Sequence, residues 1–545
     1  MGTIEGYRTA GRVDGGTMSE TDELEVNVSY AEIVVVGFLA LVVGVLALPM
    51  VQGVLYSAVF ANPSILQWGI VSILLAAVAL RQQSVALFVL AVAIFLVLGL
   101  FVGPIAGNTY AHTDMANQMQ TSAEEVETLP NTSKENVRVL PRSVSDNYAQ
   151  SSMQYPQYKL GASDIAYRNG SYAWSHALEP DNPMVALLGQ QRGALYVEMT
   201  GTEKHVDVEE TKFANGRGQY LFGSYRYQSV LSSPFKKHNW DTTFNAQANG
   251  ESYIAHSTTT YEWKFRMGPI PQLYAVPQHG SVEVMSPDGE IESLSPEEAQ
   301  ESSLLRGQNF YPYDVAMYKV ESMQYVNGAL NKWFWKEDVL QIADLPEDGN
   351  EWPIAVPTAG DSPGLTYFIA TEPTGSGNGV YEIWTIDGQS GETAVREYSE
   401  SQLGPQKAVD FTERRSEVNR LSNAEAIAPV PVVKGDTLYW HVKVVSQSRS
   451  GVIYTAFVNA ESGDVTLVEG TKQIYAFLTQ SEVEEIQNET DDRSDGMDDG
   501  SDGMSVTVVV TDADGEIVGT RNISVPAGGN FEVSVDDESA TPAAT

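Results

Sequence analysis

The sequence predicts a membrane protein of mixed class: three transmembrane helices, then an extracellular α+β body of β-rich repeat modules, then a small C-terminal β-sandwich-like module. Three observations predict it. An apolar block from Ile33 to Val102 is interrupted by a single charge, Arg81, and a bilayer core takes about 20 apolar residues per helix. A long polar chain follows, in which short aromatic–aliphatic runs recur between turn residues. Finally, a stretch of Asp, Gly and Ser over residues 491–504 sets off a last segment of strict apolar alternation.

Composition narrows the class further. The 545 residues carry 71 acids against 32 bases, a net charge of −39. Phosphate recognition needs clustered Lys and Arg, so no nucleic-acid partner is expected. Acidity alone can unfold a chain, but 26 Tyr and 9 Trp supply core-forming surface. Dispersed acids with sparse Lys fit a folded, carboxylate-coated protein of the halophilic, archaeal style, in which salt screens the self-repulsion. The chain contains no Cys, which excludes disulfides, thiolate metal sites and cysteine nucleophiles.

Residues 1–30 are acidic and lack periodicity, and are expected to form a disordered cytoplasmic arm. The apolar run begins too late for a cleavable signal peptide. The anchor, residues 31–104, divides into spans at about Ile33–Gly53, Ile65–Leu80 and Ser84–Val102, with Gly103-Pro104 expected to end the third. Arg81 between spans two and three goes inside by the positive-inside tendency. Three spans then leave the body outside. No Asp, Glu, Lys or His lies within a span, so a plain anchor is favoured over a transporter. Gly69, Ala76, Ala77 and Ala79 permit close helix approach, first within the anchor and second between copies as a homo-oligomer.

Residues 105–136 have the polar chemistry of a linker, and 137–260 read as a β-rich outer domain with strands at Leu195–Met199 and Gln219–Leu231. Over 261–480 a unit repeats: an aromatic strand (Tyr261–Phe265, Leu365–Ile369, Leu438–Val442), then a hairpin with an acid or Asn and a Gly in its turn. The turn residues are Asp288 and Gly289, Asp387 and Gly391, and Asn459 and Gly463. Asp and Asn bond their own backbone, and Gly accepts positive φ. Helix-spaced apolar residues precede copies two and three: Val315, Tyr318, Val326, Leu330 and Phe334, then Phe411, Val418 and Leu421. This helix-plus-hairpin unit, with Ile386-Asp387 to Gly391-Glu392 and Val458-Asn459 to Gly463-Asp464, resembles the PepSY-type module. The resemblance implies an extracytoplasmic domain of a kind associated with peptidase inhibition or envelope assembly. Beyond it, 481–504 reads as an acidic linker, 505–536 as a small β module and 537–545 as a disordered tail.

Chemistry-bearing motifs are sparse. There is no Gly-x-Ser-x-Gly elbow, phosphate loop or His-Glu-x-x-His, so no catalytic residue and no cofactor is assigned. His205 with Asp207, Glu209 and Glu210 reads as a solvated strand face before it reads as a metal site. His441 reads as a hydrogen-bonded core histidine, and Lys236, Lys237 and His238 as a basic loop. The acids of 491–503 lack the order of a calcium loop. Sequons at Asn131, Asn169, Asn488 and Asn522 are candidate glycan sites on an outer body; Asn27 falls on the inner side. The expected function is that of a membrane-anchored envelope protein with a binding or scaffolding body, whose partners are membrane lipid and other envelope proteins. The alternatives are a regulator of an envelope protease and a virus- or plasmid-encoded surface protein of a halophile.

Overall fold

The computed structural model describes residues 30–479, apart from 133, 135–136, 249, 348, 358–362 and 376–378, and the strands 503–511 and 517–526. The chain divides into two units, 1–479 and 480–545. The expected N-terminal arm, the acidic linker with Asn488, and the tail lie outside the described residues.

The apolar block forms four helices. The first expected span is broken into α1 (Tyr30–Leu46) and α2 (Leu48–Val59), because Pro49 sits at the first turn of α2, where a missing N–H is tolerated. Helix α3 (Pro63–Arg81) and α4 (Val85–Ser122) are each long and apolar enough to cross a membrane. They expose large apolar side chains such as Ile73, Leu80, Val85 and Phe101. Ser84 starts α4 by accepting from the Leu87 amide (3.4 Å).

Gly103-Pro104 does not end that helix. The turns over Phe95–Val102 widen to π geometry, which relieves the clash between a proline ring and the preceding carbonyls. The helix therefore continues through residues expected to be linker. Ala111, Met115 and Met119 recur at helical spacing on its buried face, and that stripe is what holds 105–122 in place. The following Glu124–Glu125 adds in parallel to a sheet edge.

The body is built from four copies of one plan, a helix followed by antiparallel strands in sequential order. The first comprises α5 (Arg142–Ser152) and β1 (Tyr158–Arg168), β2 (Ser171–Pro180), β3 (Ala194–Glu198) and β4 (Val206–Glu209). The second comprises α6 (Tyr225–Ser232) and β5 (Phe244–Ala248), β6 (Glu251–Arg266), β7 (Gln272–Met285) and β8 (Ile291–Leu294). The third comprises α7 (Tyr313–Ser322) and β9 (Ile354–Pro357), β10 (Leu365–Pro373), β11 (Gly379–Asp387) and β12 (Thr393–Leu403). The fourth comprises α8 (Pro405–Glu413) and β13 (Ala424–Lys434), β14 (Thr437–Ser446), β15 (Val452–Asn459) and β16 (Val465–Val468), followed by α9 (Gly470–Thr479).

The repeat thus begins earlier than residue 261. The segment Gln219–Leu231, expected to be a strand, contains α6 instead. Ser224 caps it by accepting from the Tyr227 amide, and Tyr225, Tyr227, Ser229 and Val230 are buried; the alternation of 225, 227 and 229 is what makes the segment read as a strand. Of the apolar residues expected on the helix before copy two, Val315 is buried but Leu330 and Phe334 are exposed.

Two cores join the copies. One runs from Met115 and Met119 of α4 through Val144, Trp174, Val315, Ile369 and Trp384. The other packs Phe368 and Ile383 of the third sheet with Ala408, Val409, Trp440 and Val444 of the fourth copy. In the second unit the described residues form one antiparallel hairpin, β17 (Gly503–Thr511) with β18 (Ile517–Pro526).

Candidate functional site

A concave site lies where the first, third and fourth copies meet, with Asp241 of the second copy at its edge. It has two adjoining lobes of about 480 and 490 Å³. Helix α5 and the β1 bulge at Leu160–Ser163 form one wall, and Glu347, the segment Gly349–Pro353 and Ala355 with Tyr313 form the other. Ser448 and Arg449, between β14 and β15, close the second lobe.

Arg138 is the pivot. Its side chain is buried, donates to the Asn350 Oδ1 (2.8 Å) and the Ala355 carbonyl (3.3 Å), and lies over Trp174 (4.8 Å). Its Nε has no partner. Burial lowers its pKa to about 10, so the guanidinium stays charged at neutral pH. Trp174 is fixed by donating its Nε1–H to the Leu140 carbonyl (2.9 Å). Arg142 donates to Ser163 (2.7 Å), whose hydroxyl donates to Asp146 (3.1 Å).

Asp164 sits opposite. Its Oδ1 accepts from the Ile165 amide (2.8 Å), while Oδ2 is sealed from solvent without a partner. Burial pushes this carboxyl up to about 6, against the pull of Arg217, Arg142 and Arg138. The orphaned buried oxygen costs the fold about 1–3 kcal/mol. The guanidinium groups of Arg138 and Arg142, the solvent-facing Asp146 and the aromatic walls of Trp174, Tyr313 and Trp352 together suit a segment that presents both donors and acceptors, as a peptide backbone does.

Deeper in the same wall, Ser145 Oγ lies 2.9 Å from His176 Nε2, and Asp146 Oδ1 lies 3.6 Å from His176 Nδ1. The order serine–imidazole–carboxylate is that of a hydrolytic triad, but the Asp146 contact is too long for a hydrogen bond and His176 Nδ1 has no partner. Ser145 is fully buried, however, and its hydroxyl lines neither lobe. Burial, then Arg142, lowers the His176 pKa to about 4, so the imidazole is neutral at pH 7.

The residues singled out from sequence lie elsewhere. In the turn after β11, Asp387 Oδ1 accepts from the Gln389 and Ser390 amides, and in the turn after β15, Asn459 Oδ1 accepts from Glu461 and Ser462. Gly391 (φ +76) lies against Tyr311 and Gly463 (φ +78) against Phe411, so each turn seats on an aromatic residue near its own helix. The Asp288-Gly289 turn is tighter: Ser286 bonds Asp288, and Gly289 (φ +94) faces Asn215. These are turn-forming residues, and none of them lines the cleft.

Asn169, exposed, is at the tip of the β1–β2 hairpin, and Asn131 is exposed. Asn522 lies on β18, opposite Thr507. His205 and Asp207 are exposed, and Arg168 bridges Asp207 (3.1 Å) and Glu209 (3.6 Å). Among the described residues no group of three His, Asp or Glu is placed to hold a metal.

The Lys236–His238 spot is paired off. Lys236 meets buried Glu283 (3.1 Å) and Lys237 meets Asp314 (2.6 Å). His238 bonds His256 (2.9 Å), which bonds Tyr225, and Trp240 stacks on His238. His441 is buried and stacked on Phe457 (4.7 Å), but neither ring nitrogen has a hydrogen-bond partner, contrary to the bonded role expected of it. Beside it Lys443 is wholly buried and donates to the His441 carbonyl (3.0 Å).

Arg138, Asp164, Ser145 and His176 were not found from sequence, because residues so spaced on different elements make no motif. The one local signal was a charge inside an apolar run, Arg138 in Val137–Leu140. No family model, curated protein or solved structure matches this chain.

Proposed function

We propose that this chain is a membrane-anchored envelope protein whose outward-facing body binds an extended polypeptide segment in the Arg138–Asp164 cleft. The observation that carries the proposal is α4. Its first half is apolar and its second half enters the body core through Met115 and Met119, so the cleft is mounted on the anchor by one continuous helix with no loop between. Apolar α1 serves as the further span, Arg81 faces the cytoplasm, and the sequons face out. The connector between α2 and α3 is on the body side of α3, with Trp263 donating to the Phe60 carbonyl (2.9 Å); Arg81 ends the same helix at its other extremity. That sidedness supports the orientation drawn from Arg81.

The body copies remain a PepSY-like arrangement by this reading, and a halophile its source. Protease treatment of intact cells at high salt tests the topology: the 137–479 body should be cleaved, and protection would overturn it. Crosslinking from a photoreactive residue at Trp352 should trap a polypeptide partner, and R138M should abolish the adduct; an adduct indifferent to R138M would remove the cleft from the function.

A second reading, hydrolase, is favoured by the Ser145–His176–Asp146 geometry alone. A fluorophosphonate probe that labels the native chain but not S145A would establish it. The buried hydroxyl predicts no labelling.

A further inference from the structure

Resting on the anchored reading, we infer that the body is not merely tethered but sits on the bilayer, through an aromatic collar of which Leu55, Phe235, Phe265, Met267, Phe334 and Trp335 are the lipid-facing members. All six are exposed, from 55% at Phe265 to 77% at Met267. They come from four distant segments, and the contacts of the body place them at one end.

The β6–β7 tip is tied to the spans. Gln67 of α3 donates to the Pro271 carbonyl (2.8 Å) and accepts from the Leu273 amide (2.6 Å), and Trp68 donates to Gln272 (3.1 Å). Helix α4 runs back along this hairpin: Tyr110 is beside Arg266 and the Ile270 carbonyl, and Asp114 pairs with Lys264 (2.8 Å). His112 is therefore level with Phe265. Helix α7 descends toward the same level. Asp314 meets Thr259, and farther along Tyr318 meets His112. Tyr325 also packs on His112 (4.9 Å), and Lys332 covers Tyr325 (4.1 Å). The run Trp333-Phe334-Trp335 follows at once.

Helix α2 completes the ring. Gln52 donates to the Pro234 and Lys236 carbonyls (2.8 Å each) and Tyr56 is buried against the body, while Val51, Val54 and Leu55 face outward. A helix so hydrogen-bonded to the body along one face, and apolar on the other, lies along an interface and does not cross it. Phe60, at its end, packs between Phe235 (6.3 Å) and Trp263 (5.9 Å).

The occupant is the bilayer that holds the spans. Aromatic side chains gather where hydrocarbon meets headgroups. Lys332, Lys336 and Arg266 lie at this rim beside the exposed acids Glu337, Asp338 and Glu262, and the stems of the three cations can run along apolar surface to the headgroup level.

The absence of Cys lets single thiols report depth. The full chain would be placed in lipid nanodiscs with a fluorophore at M267C, F334C, L90C or S399C. Brominated acyl chains should quench the labels at 267, 334 and 90 and leave the exposed β12 position 399 bright. Quenching at 90 with none at 267 and 334 would overturn the collar while leaving the anchor intact. No quenching at 90 would overturn the anchor itself. Labels at 267 and 334 that are shielded from aqueous quenchers yet untouched by brominated lipid would mean a protein covers this face, and would also overturn the collar.

Discussion

Gly391→Ala sets two costs that the structure allows to be separated. Gly391 has φ +76, and a Cβ there would fall 2.0 Å from Cε2 of Tyr311. The left-handed backbone costs a residue bearing a Cβ about 1–2 kcal/mol. The ring has little freedom to yield. Tyr311 is buried, its carbonyl accepts from the Tyr367 hydroxyl (2.9 Å), and the Lys319 ammonium lies over it (5.0 Å) while donating to the Gly391 carbonyl (2.7 Å). Overpacking of that kind adds about 1–3 kcal/mol, giving about 2–5 kcal/mol together. Gly435, in the β13–β14 turn, supplies the control: φ is +61 and nothing lies within 4 Å of its Cβ position, so only the backbone cost applies. Gly463, 2.7 Å from Phe411, falls between. The expected order of loss is G391A, then G463A, then G435A, read as the fall in urea midpoint of the full chain at constant m. Equal losses at Gly391 and Gly435 would show that Tyr311 moves freely, and the account of the turn as seated on a fixed ring would fail.

Asp164 is held near 6 in the fold against about 3.9 unfolded, so it opposes folding as pH rises through that window, by up to about 3 kcal/mol. D164N should therefore raise the urea midpoint at pH 7.5 and leave it unchanged at pH 4. His176, His238 and His279 are each held near 4 by burial. Below pH 6.5 the unfolded chain takes up protons that the fold refuses, so acidification to pH 4 should remove up to about 3 kcal/mol per imidazole, offset in part by Asp164; denaturant titrations across that range check the slope, and a flat profile in D164N would refute it. Lys443 has its pKa driven well below the usual value by burial, then by Arg138. K443M should cost nothing at pH 7 and gain stability, the gap closing as pH approaches the ordinary lysine value; loss of stability at pH 7 would mean the ammonium is satisfied in the fold.

Helix α3 and the apolar half of α4 were legible because each runs for the length of a membrane span with no charge before Arg81 or after Ser84. The turns after β11 and β15 were legible because Asp387 and Asn459 stand at the same distance from Gly391 and Gly463, and each geometry needs both residue types. The inner half of α4 was not. Ala111, Met115 and Met119 form a narrow stripe diluted by Asn108, Asp114 and Gln118, and only the sheets it packs against reveal it. The cleft was illegible for the same reason: Arg138, Asp164 and Tyr313 meet only in three dimensions. His441 was expected in the core, but the wholly buried Lys443 two residues on, on the same strand face, was not. That face is covered around Phe457 by Phe477 of α9, whose ring stacks 3.9 Å away, and alternation cannot announce a second cover.

Helix α4 has a mechanical consequence. At 1.5 Å per residue its 38 residues make a lever about 57 Å long. Tilting it by about 10° swings one end past the other by about 10 Å, far more than packed side chains absorb. The body and the apolar half must therefore turn together, except at the widened turns of Phe95–Val102, where the helical ladder is weakest. Any rotation of the body against the apolar half is in this way confined to one short stretch of helix beside Trp68 and Ser64.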